Sequence, residues 1–118
     1  MEMNPEEIIN KLEYKVNELT IRNAKLKKLG IIKDRLEATY RCELRKDLLQ
    51  LALNNTKARG NEKIAQLSVN RDLAKIRYYL MKSSIENIKF EIEVLRSMLI
   101  WLRVEFSILT DEEVTWLN

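Results

Sequence analysis

Residues 74–106 read AKIRYYLMKSSIENIKFEIEVLRSMLIWLRVEF, and this stretch decides the fold. Ala74, Tyr78, Met81, Ile85, Ile88, Ile92, Leu95, Leu99, Leu102 and Phe106 recur at alternating steps of four and three. That is the spacing by which one helix lays an apolar seam against another. A second apolar group, Phe90, Val94, Trp101 and Ile108, lies about 180° around the same helix at 100° per residue, with Met98 about 60° from that line. A helix in a simple two-helix pair buries one face only. Two opposed apolar faces call for further helices, and the chain is too short to supply them easily. A second copy of the chain is the expected source, and Phe90, Val94, Met98 and Trp101 are the candidate oligomer or partner interface.

Upstream of this helix, Asn54-Asn55-Thr56-Lys57-Ala58-Arg59-Gly60-Asn61 is the clearest break, dense in polar turn formers. A short helix over 62–67 is expected after it, then Ser68 and Asn70 as N-cap candidates for the long helix of about 70–108. Thr110-Asp111-Glu112-Glu113 forms a capping box, with Leu109 and Val114 at the staple positions, and predicts a short last helix over 111–117 carrying Trp116 and Leu117.

The first half begins with Asn4-Pro5-Glu6-Glu7. Asn4 suits the N-cap, Pro5 the first helical position, and Glu7 the reciprocal place in a capping box. Leu12, Val16, Leu19 and Leu26 then keep heptad spacing, with Asn23 in the polar slot. After Gly30 the stripe resumes as Ile32, Leu36, Tyr40, Leu44, Leu48 and Leu51, at intervals nearer four, where supercoiling should relax. Lys27-Lys28-Leu29-Gly30 also resembles a helix end. The rival, one helix over about 5–53, keeps its stripe in phase across Gly30 at a cost of about 1 kcal/mol for the glycine. The expected class is therefore all-α: a long antiparallel helical hairpin with short accessory helices and a basic turn at 54–61, assembling into a helical bundle or coiled-coil oligomer.

Composition narrows the function. The chain has 118 residues, enough for one domain, with two glycines and one proline, too few turn formers for a sheet protein. There is no histidine and one cysteine, Cys42. This removes the commonest general base, any internal disulfide and the ligand sets of zinc and di-metal sites. Gly30 and Gly60 stand alone, so no phosphate-binding glycine loop exists. No enzymatic activity, metal or cofactor is expected. The N-terminus has neither the basic nor the apolar region of a signal peptide, and no run of 18 apolar residues occurs, so a cytoplasmic location away from membranes is expected.

Charge is distributed unevenly. Residues 22–82 hold 16 Lys or Arg against 6 Asp or Glu, while the two ends together hold 5 against 12. Arg71, Lys75 and Lys82 share a helical face, with Tyr78 and Tyr79 interleaved. Cations neutralise phosphates and tyrosine rings stack on unpaired bases, which makes Lys57, Arg59, Arg71, Lys75, Tyr79 and Lys82 candidate nucleic-acid contacts. The plainer alternative is a solvated basic surface with Tyr78 in the seam. The run Lys57-Ala58-Arg59-Gly60, then Asn70-Arg71-Asp72, then Ile88…Ile92…Leu95-Arg96-Ser97-Met98 resembles short helical proteins encoded among phage and prophage DNA-metabolism genes, in particular recombination mediators of the UvsY type. The resemblance covers roughly the C-terminal half. It implies a ring-forming protein that binds single-stranded DNA and helps load a recombinase, with Lys57, Arg59, Arg71 and Lys75 touching DNA. The expected partners are thus a second copy, single-stranded DNA or RNA, and a recombinase or other acidic protein. The competing reading is a helical interaction module, an adaptor or an inhibitor of a host protein.

Overall fold

The computed structural model describes the backbone of residues 4–54 and 61–117, and the side chains of residues 4–53 and 62–108. Two helices make up the described chain: α1, Pro5–Asn54, and α2, Asn61–Leu117. They pair as an all-α antiparallel hairpin, and among the described residues there is no strand. No described helix is long and apolar enough to cross a membrane. The expected turn at 54–61 lies, between its helical ends Asn54 and Asn61, outside the described residues.

α1 starts as its sequence dictates. The Glu7 backbone N–H donates to Asn4 Oδ1 at 2.8 Å, the expected N-cap bond, and the two side chains also meet, Asn4 Nδ2 donating to Glu7 Oε1 at 3.4 Å. The helix then runs 50 residues without a break at Gly30. α2 is also continuous, where the sequence suggests three helices over 62–67, 70–108 and 111–117. Between Asn61 and Leu117 there is neither glycine nor proline, so nothing in the backbone stops the helix. The presumed caps are spent elsewhere: Arg71 Nη2 donates to Ser68 Oγ, and Gln66 Nε2 donates to Asn70 Oδ1.

The chain divides into two compact units, each containing a segment of both helices. Unit 1 joins Met1–Arg22 to Ser84–Asn118, and unit 2 is Asn23–Ser83. In unit 1, Ile8 on α1 and Ile85, Ile88, Ile92 and Leu95 on α2 are buried, and Leu12, Leu19, Leu99 and Leu102 are half-buried beside them. Lys15 Nζ meets Glu91 Oε2 at 2.6 Å, and Arg22 Nη1 donates to Ser84 Oγ. Seven residues forward on α1 are therefore seven back on α2, the register of an antiparallel heptad pair. Unit 2 keeps the same step: Gly30 faces Tyr78, and Glu37 faces Arg71.

This register corrects several expected seam positions. The α1 seam runs through Arg22 and Lys33, while Asn23, Val16 and Ile32 are exposed. Strict heptad steps persist past Gly30 because α2 keeps them, and the α1 side chains that fall opposite it are the ones that become covered. Leu48 and Leu51 are exposed for the same reason: Glu43, Leu44 and Asp47 occupy the half-buried positions near the end of α1. At the other end α1 begins at Pro5, which lines one groove with Leu102 and Phe106, and Phe106 is 72% exposed.

Candidate functional site

Unit 2 concentrates the positive charge. Its sequence holds 15 Lys or Arg against 6 Asp or Glu, whereas unit 1 holds 6 against 12. Within unit 2 one carboxylate organises several cations. Arg41, one turn along α1, donates from Nε to Glu37 Oε1 at 2.9 Å. From α2, Arg71 Nε lies 3.5 Å and Lys75 Nζ 3.6 Å from Glu37 Oε2. That oxygen is shielded from solvent and accepts no hydrogen bond among the described residues; it is held by charge alone. Burial by itself would raise the Glu37 carboxyl. Lys75, with Arg41 and Arg71, outweighs it and holds the group below the usual carboxylate range.

Besides Glu37, Arg71 meets three other groups. Its guanidinium lies over the Tyr40 ring at 4.1 Å, its Nε meets Asp72 Oδ1 at 3.1 Å, and its Nη2 meets Ser68. Burial opposes its charge, but the bond to Asp72 and the charge of Glu37 raise its pKa on balance. On the next turns, Lys33 Nζ lies 5.0 Å from the centre of the Tyr78 ring, and Tyr78 packs edge-on against Tyr79 with centroids 5.4 Å apart. Lys33 is held protonated above its usual pKa chiefly by its hydrogen bond to Asp34, against the opposing effect of burial. Gly30 lies against this ring: a β-carbon there would stand 3.4 Å from Tyr78 Cε2, an ordinary contact.

The structure thus gathers Arg71 and Lys75 on Glu37 and sets Tyr79 and Lys82 on the same flank of α2, both exposed. Lys57 and Arg59 lie outside the described residues. Lys25, Lys27, Lys28, Arg35, Arg45, Arg77 and Lys82 are exposed and make no ion pair among the described residues. In unit 1, Phe90 and Trp101 are 71% and 67% exposed, Val94 is exposed with them, and Met98 is half-buried at the edge of the seam. Glu37 itself was not a candidate from the sequence. Its spacing to Arg41 is a visible i, i+4 pair, but its links to Arg71 and Lys75 depend on the helix register.

No family model, curated protein or solved structure matches this chain. Among the described residues, no group of carboxylates and thiol is placed to hold a metal ion.

Proposed function

We propose that this chain is a non-enzymatic, self-associating cytoplasmic protein that binds single-stranded nucleic acid through unit 2, acting in phage or bacterial DNA recombination or replication. The observation that carries it is the set of exposed cations in unit 2 that make no ion pair among the described residues, together with the exposed ring of Tyr79, one turn from Lys82. The Glu37 network engages Arg41, Arg71 and Lys75, yet leaves Arg77 and Lys82 on α2 and five further cations on α1 for a polyanion. Lys82 follows Tyr79 by one turn, which lets a base stack while its phosphate is neutralised. The resemblance to UvsY-type mediators supports the recombination setting.

Fluorescence anisotropy of a labelled oligothymidylate tests this reading. Binding should weaken as salt rises, with a slope of about −0.7 per phosphate neutralised. Arg77→Glu with Lys82→Glu should lower the affinity at least tenfold and flatten that slope, while Tyr79→Ala should weaken binding at every salt concentration. Absence of binding at low salt, or binding indifferent to salt, overturns it. The exposure of Phe90 and Trp101 favours a second reading, an adaptor or inhibitor that docks on a foreign protein. Phe90→Ser with Trp101→Ser separates the two: an unchanged mass in light scattering assigns that face to a foreign partner.

A further inference from the structure

In unit 2 the carboxylate of Glu37 holds three cations, but not equally firmly. Arg41 Nε donates to Oε1 at 2.9 Å. Oε2 is shielded from solvent and accepts no hydrogen bond among the described residues, with Arg71 Nε at 3.5 Å and Lys75 Nζ at 3.6 Å. A charge-assisted hydrogen bond is shorter, about 2.7–2.9 Å. Lys75 is therefore attracted to Oε2 without a directed bond, and an anion that accepts its N–H groups competes well for it.

The three cations also differ in exposure. The side chain of Arg71 is 19% exposed, that of Lys75 41% and that of Arg41 68%. Arg71 is held in addition by the Tyr40 ring, Asp72 and Ser68. Arg41 and Lys75 make no ion pair or hydrogen bond other than those to Glu37 among the described residues. The neighbouring carboxylates are engaged elsewhere, Asp34 with Lys33, Glu43 with Lys46 and Lys63, and Asp72 with Arg71. Either outer cation can swing toward solvent while Arg71 stays, so the shielded oxygen keeps a counter-charge. Lys75 precedes Tyr79 by one turn, about 6 Å along α2, and Lys82 follows it by about 4.5 Å. A freed Lys75 thus adds a cation before the exposed Tyr79 ring to the one after it.

We propose that Arg41 and Lys75 form a reserve phosphate site: Glu37 holds them back in the free protein, and the backbone phosphates of a single strand draw them off it. This deepens the nucleic-acid reading of unit 2 and rests on it. The cations that make no ion pair, Arg77 and Lys82 among them, take the first phosphates. Arg41 and Lys75 then exchange one carboxylate for phosphate oxygens, and Arg71 alone covers Glu37. Glu37 is on this account an internal competitor of the strand, and its presence weakens binding. A carboxylate that only positioned the two cations for phosphate would have the opposite effect, and its removal would weaken binding.

Anisotropy of the labelled oligothymidylate with the full chain tests this. Glu37→Gln should raise the affinity about tenfold and steepen the salt slope by about 0.7 for each cation freed. Glu37→Asp, which keeps the charge but shortens its reach by one carbon, should change both in the same direction by less. Loss of a negative charge favours any polyanion, so a double-mutant cycle separates that general effect from release of the two cations. In a chain already carrying Arg41→Gln and Lys75→Gln, adding Glu37→Gln should change the affinity by less than about twofold and leave the slope unchanged. Circular dichroism checks that each chain keeps its helix; should Glu37→Gln lose it, Glu37→Asp decides by the same criteria. A Glu37 variant that binds no more tightly than the native chain, or a gain of equal size in the Arg41→Gln, Lys75→Gln background, overturns the inference and leaves nucleic-acid binding standing. A native chain that fails to bind the strand at low salt overturns the nucleic-acid reading, and this inference with it.

Discussion

In unit 1 the seam between the two helices holds a buried aliphatic core; in unit 2 aromatic rings, cations and carboxylates share the seam with half-buried leucines. Both units keep the antiparallel heptad register, so the difference is one of chemistry at equivalent positions. Unit 1 buries Ile8, Ile85, Ile88, Ile92 and Leu95, while in unit 2 only Ala74 is buried among the described residues. There Lys33, Glu37, Tyr40, Arg71 and Tyr78 take seam positions, each half-buried. Apolar burial contributes roughly 25 cal/mol per Å², whereas exposed ion pairs contribute about 0–1 kcal/mol each. Unit 1 is therefore expected to anchor the hairpin. Unit 2 has less apolar burial and a more highly charged surface.

The largest expected effect tests the anchor. Ile92→Ala removes a buried branched side chain and should cost about 2–5 kcal/mol in urea unfolding, against roughly 1–2 kcal/mol for Leu36→Ala, half-buried in unit 2. Equal losses would erase the contrast between the units.

A smaller effect of opposite sign is expected at Gly30. An added β-carbon meets Tyr78 Cε2 at 3.4 Å, an ordinary contact, and a glycine inside a helix is unfavourable. Gly30→Ala should stabilise by roughly 0.5–1 kcal/mol, visible as a raised Tm. Gly30→Leu should lower Tm, because the longer side chain displaces the ring on which Lys33 sits.

The smallest effect concerns Glu37 and is a matter of pH. Its carboxyl is held below the usual value of about 4.3, so its stabilising charge is fully present above that value and is lost as pH falls through the lower, folded one. Glu37→Gln should be slightly less stable at pH 7 and lose less on acidification between about pH 5 and 3. Thermal melts across that range check it. A variant that parallels the native chain throughout would show that the three cations are not coupled to this carboxylate.

Much of the architecture was legible along the chain. The 4-3 run from Ala74 to Leu102, the N-cap at Asn4 and the scarcity of glycine and proline required two long helices in an all-α hairpin. The exposed second face of α2 was legible too, since Phe90, Val94 and Trp101 lie opposite the seam whatever that seam touches. Helix ends at Ser68 and Thr110 were misread. Ser68 and Asn70 resemble caps in the sequence but bond to neighbouring side chains, and a segment without glycine or proline continues as helix through them and through Thr110. The α1 seam was misplaced at Ile32, Leu48 and Leu51, because apolar character was followed where the partner's register decides.

The candidate site divides the same way. Its charge was visible as a count, and Arg71, Lys75, Tyr79 and Lys82 were visible as one face of a helix. That Glu37 would also collect Arg71 and Lys75, that Arg71 would cover Tyr40, and that Tyr78 would stand against Gly30 were not. Periodicity belongs to a single helix and is written in its own residues; it fixed the helices, their apolar faces and the location of the charge. Which residue of α1 stands opposite which residue of α2 is a relation between segments far apart in sequence. Only the packed hairpin, which settles one register against all others, decided it.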